Sequence, residues 1–116
     1  MNTRSLLAAL AMTGFAAPAM AHAFLQHASP GAGATLAVAP KEIVLQFSEP
    51  LEHTFSGVDV ADAMSRDVEA VPAAISGTSM RVSLKTLAPG HFHVRWHAVS
   101  VDTHRTEGAY DITVRP

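Results

Sequence analysis

The sequence predicts an all-β domain, a Greek-key β-sandwich of the cupredoxin or immunoglobulin type. Apolar and polar residues alternate in several short runs, as is typical of strands that are buried on one face. Pro, Gly, Ser and Asp separate these runs at intervals of about 8–12 residues, a spacing found in antiparallel sandwiches. No segment keeps a 3.6-residue apolar period over the length of a helix. These three observations predict about seven strands in two packed sheets.

The first two strands are predicted over residues 23–27 and 42–48. The Ser-Pro-Gly-Ala-Gly sequence at 29–33 interrupts the chain after the first strand, and Pro50 ends the second. In the second strand the apolar residues fall on one face, which favours a strand that is half buried against a core.

The remaining strands include two irregular segments and three regular ones. The irregular segments are 55–60 and 68–75, and Pro72 interrupts the latter. The regular runs have apolar residues at alternate positions: Met80, Val82 and Leu84; Phe92, Val94, Trp96 and Ala98; and Tyr110, Ile112 and Val114. The predicted core between the two sheets contains Ile43, Leu45, Phe47, Val82, Leu84, Val94, Trp96 and Ile112.

Residues 1–21 have the three parts of a secretory signal peptide. Arg4 provides the basic start, an apolar segment follows, and Ala-Met-Ala at 19–21 forms a small-residue cleavage site. Two further A-x-A patterns, at 17–19 and 21–23, compete with it, so the cleavage position stays open.

Cleavage after Ala21 would make His22 the first residue of the mature protein. The α-amine and Nδ1 of an N-terminal histidine can close a six-membered chelate ring on one metal ion. Cleavage after Ala23 would remove His22 and the chelate with it. The rest of the chain, residues 22–116, is long enough for one small domain with one core.

The composition excludes several classes of function. The chain has 8 basic and 10 acidic residues and no basic run, which argues against a nucleic-acid partner. After the signal no apolar stretch approaches the roughly 20 residues of a membrane-spanning helix. Without cysteine there is no thiolate nucleophile, no iron–sulfur cluster and no blue-copper centre.

The residues with the clearest chemical potential are Asp102 and His104, in the polar stretch at 100–108. In an extended loop their side chains point the same way, so both can address one ion. Together with the amine and imidazole of His22 they form a set of three nitrogens and one oxygen. Such a set favours Cu(II) in tetragonal geometry, whereas Zn(II) would accept the same ligands in a tetrahedron. The alternative is an ordinary polar loop.

Other polar residues have less specific patterns. Three histidines alternate along one predicted strand face: His91, His93 and His97. We interpret them as the solvated face of that strand, and the alternative is a second, looser imidazole site. Glu49 follows a strand end and is either a loop carboxylate or a group that orients a metal ligand. His27 and His53 are interpreted as surface residues.

The sequence resembles the CopC family of periplasmic copper-resistance proteins over essentially the whole mature chain. The resemblance lies in the segments His22-Ala23, Ser29-Pro30, Phe47-Ser48-Glu49-Pro50-Leu51, and Trp96-His97-Ala98-Val99-Ser100-Val101-Asp102-Thr103-His104, followed by Gly108. The segment that ends in Asp-x-His is the specific one. Members of the family usually have Arg after the strand tryptophan and Pro after the site histidine, where this chain has His97 and Arg105.

The resemblance implies a non-enzymatic periplasmic protein that holds one Cu(II) ion per chain. It implies that His22 supplies its amine and Nδ1, that Asp102 and His104 complete the site, and that Glu49 lies close to the copper. It further implies a role in copper resistance or homeostasis, with delivery to an inner-membrane transporter of the CopD type as an additional role. The single Met64 in the middle of the chain predicts no methionine-rich Cu(I) site.

Two other functions are compatible with the pattern. Chelation of copper by the amine and imidazole of an N-terminal histidine, called a histidine brace, also occurs in lytic polysaccharide monooxygenases. A copper oxygenase is therefore one alternative. The small size of the domain and the position of Asp102, where oxygen would have to bind, argue against it. The other alternative is a metal-free interaction module with an immunoglobulin-like fold. The fold is the only observation that favours it.

Overall fold

A computed structural model describes residues 22–116. This part of the chain contains eight strands and no helix. The predicted signal, residues 1–21, lies outside the described residues. Within the described part of the chain, no helix is long and apolar enough to cross a membrane. In chain order the strands are β1 (Leu25–Ser29), β2 (Thr35–Leu36), β3 (Glu42–Phe47), β4 (Gly57–Asp62), β5 (Ala74–Ser76), β6 (Ser79–Ser83), β7 (Gly90–Val99) and β8 (Arg105–Val114).

The strands form two four-stranded sheets that pack face to face. Sheet 1 has the order β1-β3-β6-β5, and sheet 2 has the order β2-β8-β7-β4. Every pair is antiparallel except β2 and β8, which run parallel. The chain changes sheet at most of its connections, because only β5–β6 and β7–β8 are consecutive strands in one sheet. The predicted all-β sandwich is therefore confirmed.

The core lies between the sheets and follows the predicted alternation. In β3, Ile43, Leu45 and Phe47 are buried while the residues between them are half exposed. Val82, Leu84, Val94 and Ile112 are also buried as predicted. Burial of this apolar set stabilises the fold by about 25 cal/mol per Å² removed from water, in the absence of any disulfide.

Trp96 is the one predicted core residue that is only partly buried. Its ring packs edge-on against Phe47, with ring centroids 5.1 Å apart. On sheet 2 it lies opposite Gly108, where a Cβ atom would come within 2.6 Å of the ring. The indole is therefore held at the border of the core by an aromatic contact and by the absence of a side chain on β8.

Predicted strands at 23–27, 42–48 and 55–60 are displaced by one or two residues, as β1, β3 and β4, and three further differences are larger. The predicted strand at 68–75 is wrong: only Ala74–Ser76 forms a strand, and Glu69 makes an isolated bridge to Leu84. Strand β2 was not predicted, because two residues are too short to show a period. Strand β8 begins at Arg105, so the polar loop after β7 is shorter than the predicted stretch at 100–108.

Candidate metal centre

The first described residues are held across the seam between the two sheets. Ser48, at the end of β3, donates through Oγ to the carbonyl of His22 (3.2 Å) and accepts from the backbone N–H of Phe24 (2.8 Å). On the other sheet, Thr106 Oγ1 donates to the carbonyl of Ala23 (2.6 Å), whose side chain is completely buried. These hydrogen bonds fix the backbone of His22 next to the start of β8.

The loop between β7 and β8 is a tight turn built on Ser100. The backbone N–H of Ser100 donates to the carbonyl of His104 (3.0 Å), and that of Thr103 donates to the carbonyl of Ser100 (2.8 Å). Thr103 has a φ of 75°, which is uncommon for a β-branched residue. The expectation of an extended loop is therefore wrong: a turn, rather than strand-like alternation, brings Asp102 and His104 together.

Asp102 lies between two hydrogen-bond partners. The hydroxyl of the buried Ser100 donates to its Oδ1, and Nδ1 of His104 lies 3.3 Å from its Oδ2. The hydrogen bond from Ser100, followed by those from His104, lowers the pKa of Asp102 below its ordinary value of 3.8, against desolvation, which raises it. Because Nδ1 of His104 faces the carboxylate, Nε2 is the ring nitrogen left for other interactions.

His22 and His104 lie side by side at this end of the sandwich. Their ring centroids are 4.6 Å apart, with an angle of 32° between the ring planes. The His22 ring also stacks on Phe24, with a centroid distance of 5.9 Å. In the full chain the nitrogen of His22 is a peptide nitrogen bonded to Ala21, so its amine becomes available only after cleavage. The structure thus brings His22, Asp102 and His104 to one place.

The described residues contain no group of three or more His, Asp or Glu side chains that already converge on one point. Glu49 directly follows Ser48 and is half-buried, but no ion pair joins it to another residue of the 22–116 segment. The arrangement therefore consists of two neighbouring imidazoles and one oriented carboxylate, and a metal would complete it by drawing these groups together.

The residues that position this centre were not found from the sequence. Ser48, Ser100 and Thr106 act through hydrogen bonds to backbone or carboxylate atoms, and their partners lie as many as 83 residues away in the sequence. The only available signal was that Ser48 and Ser100 fall within the two segments that resemble the CopC family.

The other histidines differ in their surroundings. His27 and His53 are exposed, as interpreted from the sequence. The ring of His97 lies over Gly57 of β4, where a Cβ atom would come within 3.1 Å of it. His91 and His93 have hydrogen-bond partners on β8.

Comparisons with known proteins agree with this architecture. The CopC domain family matches residues 25–115. Protein YobA of Escherichia coli K12 is 38% identical over 121 residues, covering 98% of both chains, and copper resistance protein C of Escherichia coli is 34% identical, covering 88% of both. The crystal structure of CopC from Methylosinus trichosporium OB3b superimposes with a TM-score of 0.75 at 31% identity, covering 82% of this chain and 95% of that one. The chain is a member of the CopC family of copper resistance proteins.

Proposed function

We propose that the mature protein is a periplasmic, non-catalytic copper carrier that holds one Cu(II) ion through a brace formed by His22, Asp102 and His104. The observation that carries this proposal is the close approach of the His22 and His104 rings, whose centroids are 4.6 Å apart, beside the carboxylate of Asp102. The contact lies at the position that cleavage after Ala21 would turn into the N-terminus. A carrier in copper resistance or homeostasis also agrees with membership of the CopC family.

The donor set supports copper in its oxidised state. After cleavage the amine and Nδ1 of His22, an imidazole nitrogen of His104 and a carboxylate oxygen of Asp102 would supply three nitrogens and one oxygen. Such ligands suit Cu(II) among the divalent first-row ions, whereas Cu(I) prefers thioethers and thiolates. Met64 is exposed and Met80 is completely buried in the core, so neither contributes a sulfur to this centre.

The electrostatics of the turn favour a permanently ionised ligand. Because its hydrogen bonds hold the pKa of Asp102 below 3.8, the carboxylate keeps its charge throughout the neutral and mildly acidic range. An α-amine, in contrast, loses its proton only near pH 8, and imidazoles must also be neutral to bind metal. We therefore expect acid to release copper through protonation of the nitrogen ligands rather than of Asp102.

The rim of the centre supports transfer of copper to another protein. Phe24 stacks on His22 and is 52% exposed, and Val101 immediately precedes Asp102 and is 61% exposed. Contiguous exposed apolar patches mark contact surfaces, and we propose that Phe24 and Val101 contribute to one. We expect this rim to face an inner-membrane transporter of the CopD type during delivery.

Native mass spectrometry of the protein purified after export, with one equivalent of Cu(II), tests the proposal. We expect a chain that begins at His22 and retains one copper ion. A matched form acetylated on the α-amine of His22 keeps the imidazole but removes the amine as a donor. Its Cu(II) affinity should fall at least about 100-fold, which corresponds to about 2.8 kcal/mol of binding free energy.

The variant His27→Ala is the control, because His27 is exposed on β1, away from these contacts, and its loss should leave the affinity unchanged. A mature chain that begins at Phe24, or equal affinities with and without the acetyl group, would refute the brace. Oxygen uptake by the copper-loaded protein with a reductant would instead support the copper oxygenase.

A further inference from the structure

The outer face of sheet 2 contains two histidines whose rings are held by the neighbouring strand. Nδ1 of His93 lies 2.5 Å from Oδ1 of Asp111, and Nδ1 of His91 lies 2.9 Å from Oγ1 of Thr113. Both partners are directly opposite in the register of β7 and β8. Both residues lie on the exposed face that the sequence predicted, and in addition each ring has a fixed neighbour.

These hydrogen bonds determine which ring nitrogen is available. A carboxylate can only accept, so Nδ1 of His93 carries the proton, and in the neutral ring Nε2 keeps its lone pair. When Nδ1 of His91 donates to the hydroxyl of Thr113, its Nε2 is free in the same way. A histidine that donates one N–H to a carboxylate or other acceptor and offers the other nitrogen outward is the usual arrangement of metal-ligating histidines.

The spacing of the two histidines suits a single ion. Residues i and i+2 of a strand point to the same face, with their Cα atoms about 7 Å apart. His91 and His93 are both exposed, so their free nitrogens face solvent on one side of β7. Two imidazoles at this spacing can bind one metal ion, with water in the remaining positions.

An acidic groove of about 640 Å³ lies beside the pair. Its lining includes four aspartates (Asp59, Asp62, Asp67 and Asp111) and a single arginine, Arg95. Along one row across the strands, Asp67 bridges to Ala61, Ala61 is opposite His93, and His93 is opposite Asp111. Ala61 is therefore the residue between Asp67 and His93 in this row, and an aspartate stands on each side of His93.

His97, the third histidine on the outer face of β7, does not share this environment. Arg95 separates His97 from His93 on the same face, and the ring of His97 lies over Gly57. The loose site of three histidines considered from the sequence therefore reduces to the pair at the far end of the strand.

We infer that His91 and His93 form a second metal site, which takes a divalent transition-metal cation with imidazole preference, such as Zn(II) or Cu(II). The ligands are the two Nε2 atoms, completed by water, with Asp111 and Thr113 orienting the rings and Asp67 among the aspartates that line the groove. No third ligand is preassembled among the described residues, so the site is open and weaker than a closed one. It does not depend on the proposed brace.

NMR of the ring nitrogens of the mature protein, with Zn(II) as the probe, tests this inference residue by residue. We expect Nε2 of both His91 and His93 to shift together on addition of Zn(II), while their Nδ1 atoms remain protonated and the ring of His97 is unaffected. His93→Gln should abolish the shift at His91. Asp111→Ala should weaken Zn(II) binding at the pair by about 10- to 100-fold, since it removes only the group that orients His93.

His97→Gln is the matched control and should leave the shifts of His91 and His93 unchanged. If His91 still shifts in the His93→Gln protein, or if both rings respond no more than the exposed His27 and His53, the pair is not a site. Zinc at His22 and His104 would give separate signals, so failure of the brace and failure of the second site are distinguishable.

Discussion

At the scale of single residues, two buried hydroxyl groups have opposite environments. The hydroxyl of Ser100 donates to Asp102 and lies within hydrogen-bond distance of the carbonyl of His104. The hydroxyl of Tyr110, on β8 opposite Val94, has no hydrogen-bond partner among the described residues. Burial disfavours the charged phenolate, which raises the pKa of Tyr110 from 10.0 to about 12. The first hydroxyl organises the turn at Asp102, and the second ties stability to pH.

The raised pKa of Tyr110 predicts a loss of stability in strong alkali. The folded state holds the phenolic proton more tightly than the unfolded state, so this contribution is fully present below pH 10 and is lost as the pH rises from 10 to about 12. Tyr110 is the single tyrosine, so tyrosinate absorbance reports it directly. In Tyr110→Phe the free energy of unfolding should fall less steeply over this interval, and ionisation near pH 10 in the folded protein would contradict the prediction.

At the scale of strands, contacts between neighbouring strands fix details that the alternation of apolar and polar residues does not predict. The period of two predicted β3, β6, β7 and β8 because their apolar residues face one continuous core. It also counted Trp96 as an ordinary core residue, whereas the pairing of β7 with β8 places its ring over Gly108. Strand β2 depends on its pairing with the distant β8, which no local pattern predicts. The turn at Thr103 rests on local hydrogen bonds of Ser100, which the alternation of apolar residues does not reveal.

Gly108→Ala should destabilise the protein by about 1–3 kcal/mol, the usual cost of overpacking. The added Cβ would lie 2.6 Å from the Trp96 ring, which Phe47 restrains from the other side. Gly57→Ala is the matched control: its Cβ would lie 3.1 Å from the half-buried ring of His97, which can move toward solvent, so we expect a smaller effect. Urea unfolding gives the free energy of unfolding of both variants. Equal losses of stability would show that the Trp96 ring can move as readily as the His97 ring.

At the scale of the whole molecule, the candidate centre joins the two sheets. His22 precedes β1 of sheet 1, while Asp102 and His104 lie in the connection between two strands of sheet 2. The sequence predicted these three residues because each belongs to a recognisable local pattern. It could not predict the anchors at Ser48 and Thr106, because their contacts form only when the sandwich has assembled.

Cu(II) should stabilise the mature protein through the proposed brace. A ligand that binds only the folded state at 100 times its dissociation constant adds about 2.7 kcal/mol to the free energy of unfolding. We expect a gain of this order in chemical denaturation with Cu(II), reversed by a chelator. At the same copper concentration the form acetylated on the α-amine of His22 should gain much less, and an equal gain would mean that the stabilising copper binds elsewhere.

The burial of Ala23 would constrain when the proposed cleavage after Ala21 can occur. If the chain is cut after Ala21, the severed bond lies two residues from a methyl group that is completely enclosed and one from a half-buried histidine. A peptidase must grip an extended segment on both sides of such a bond, so the cut has to come before the sandwich closes. The complete chelate would then exist only on exported chains. A precursor retained in the cytoplasm would hold the two imidazoles without the amine and would compete poorly for copper there.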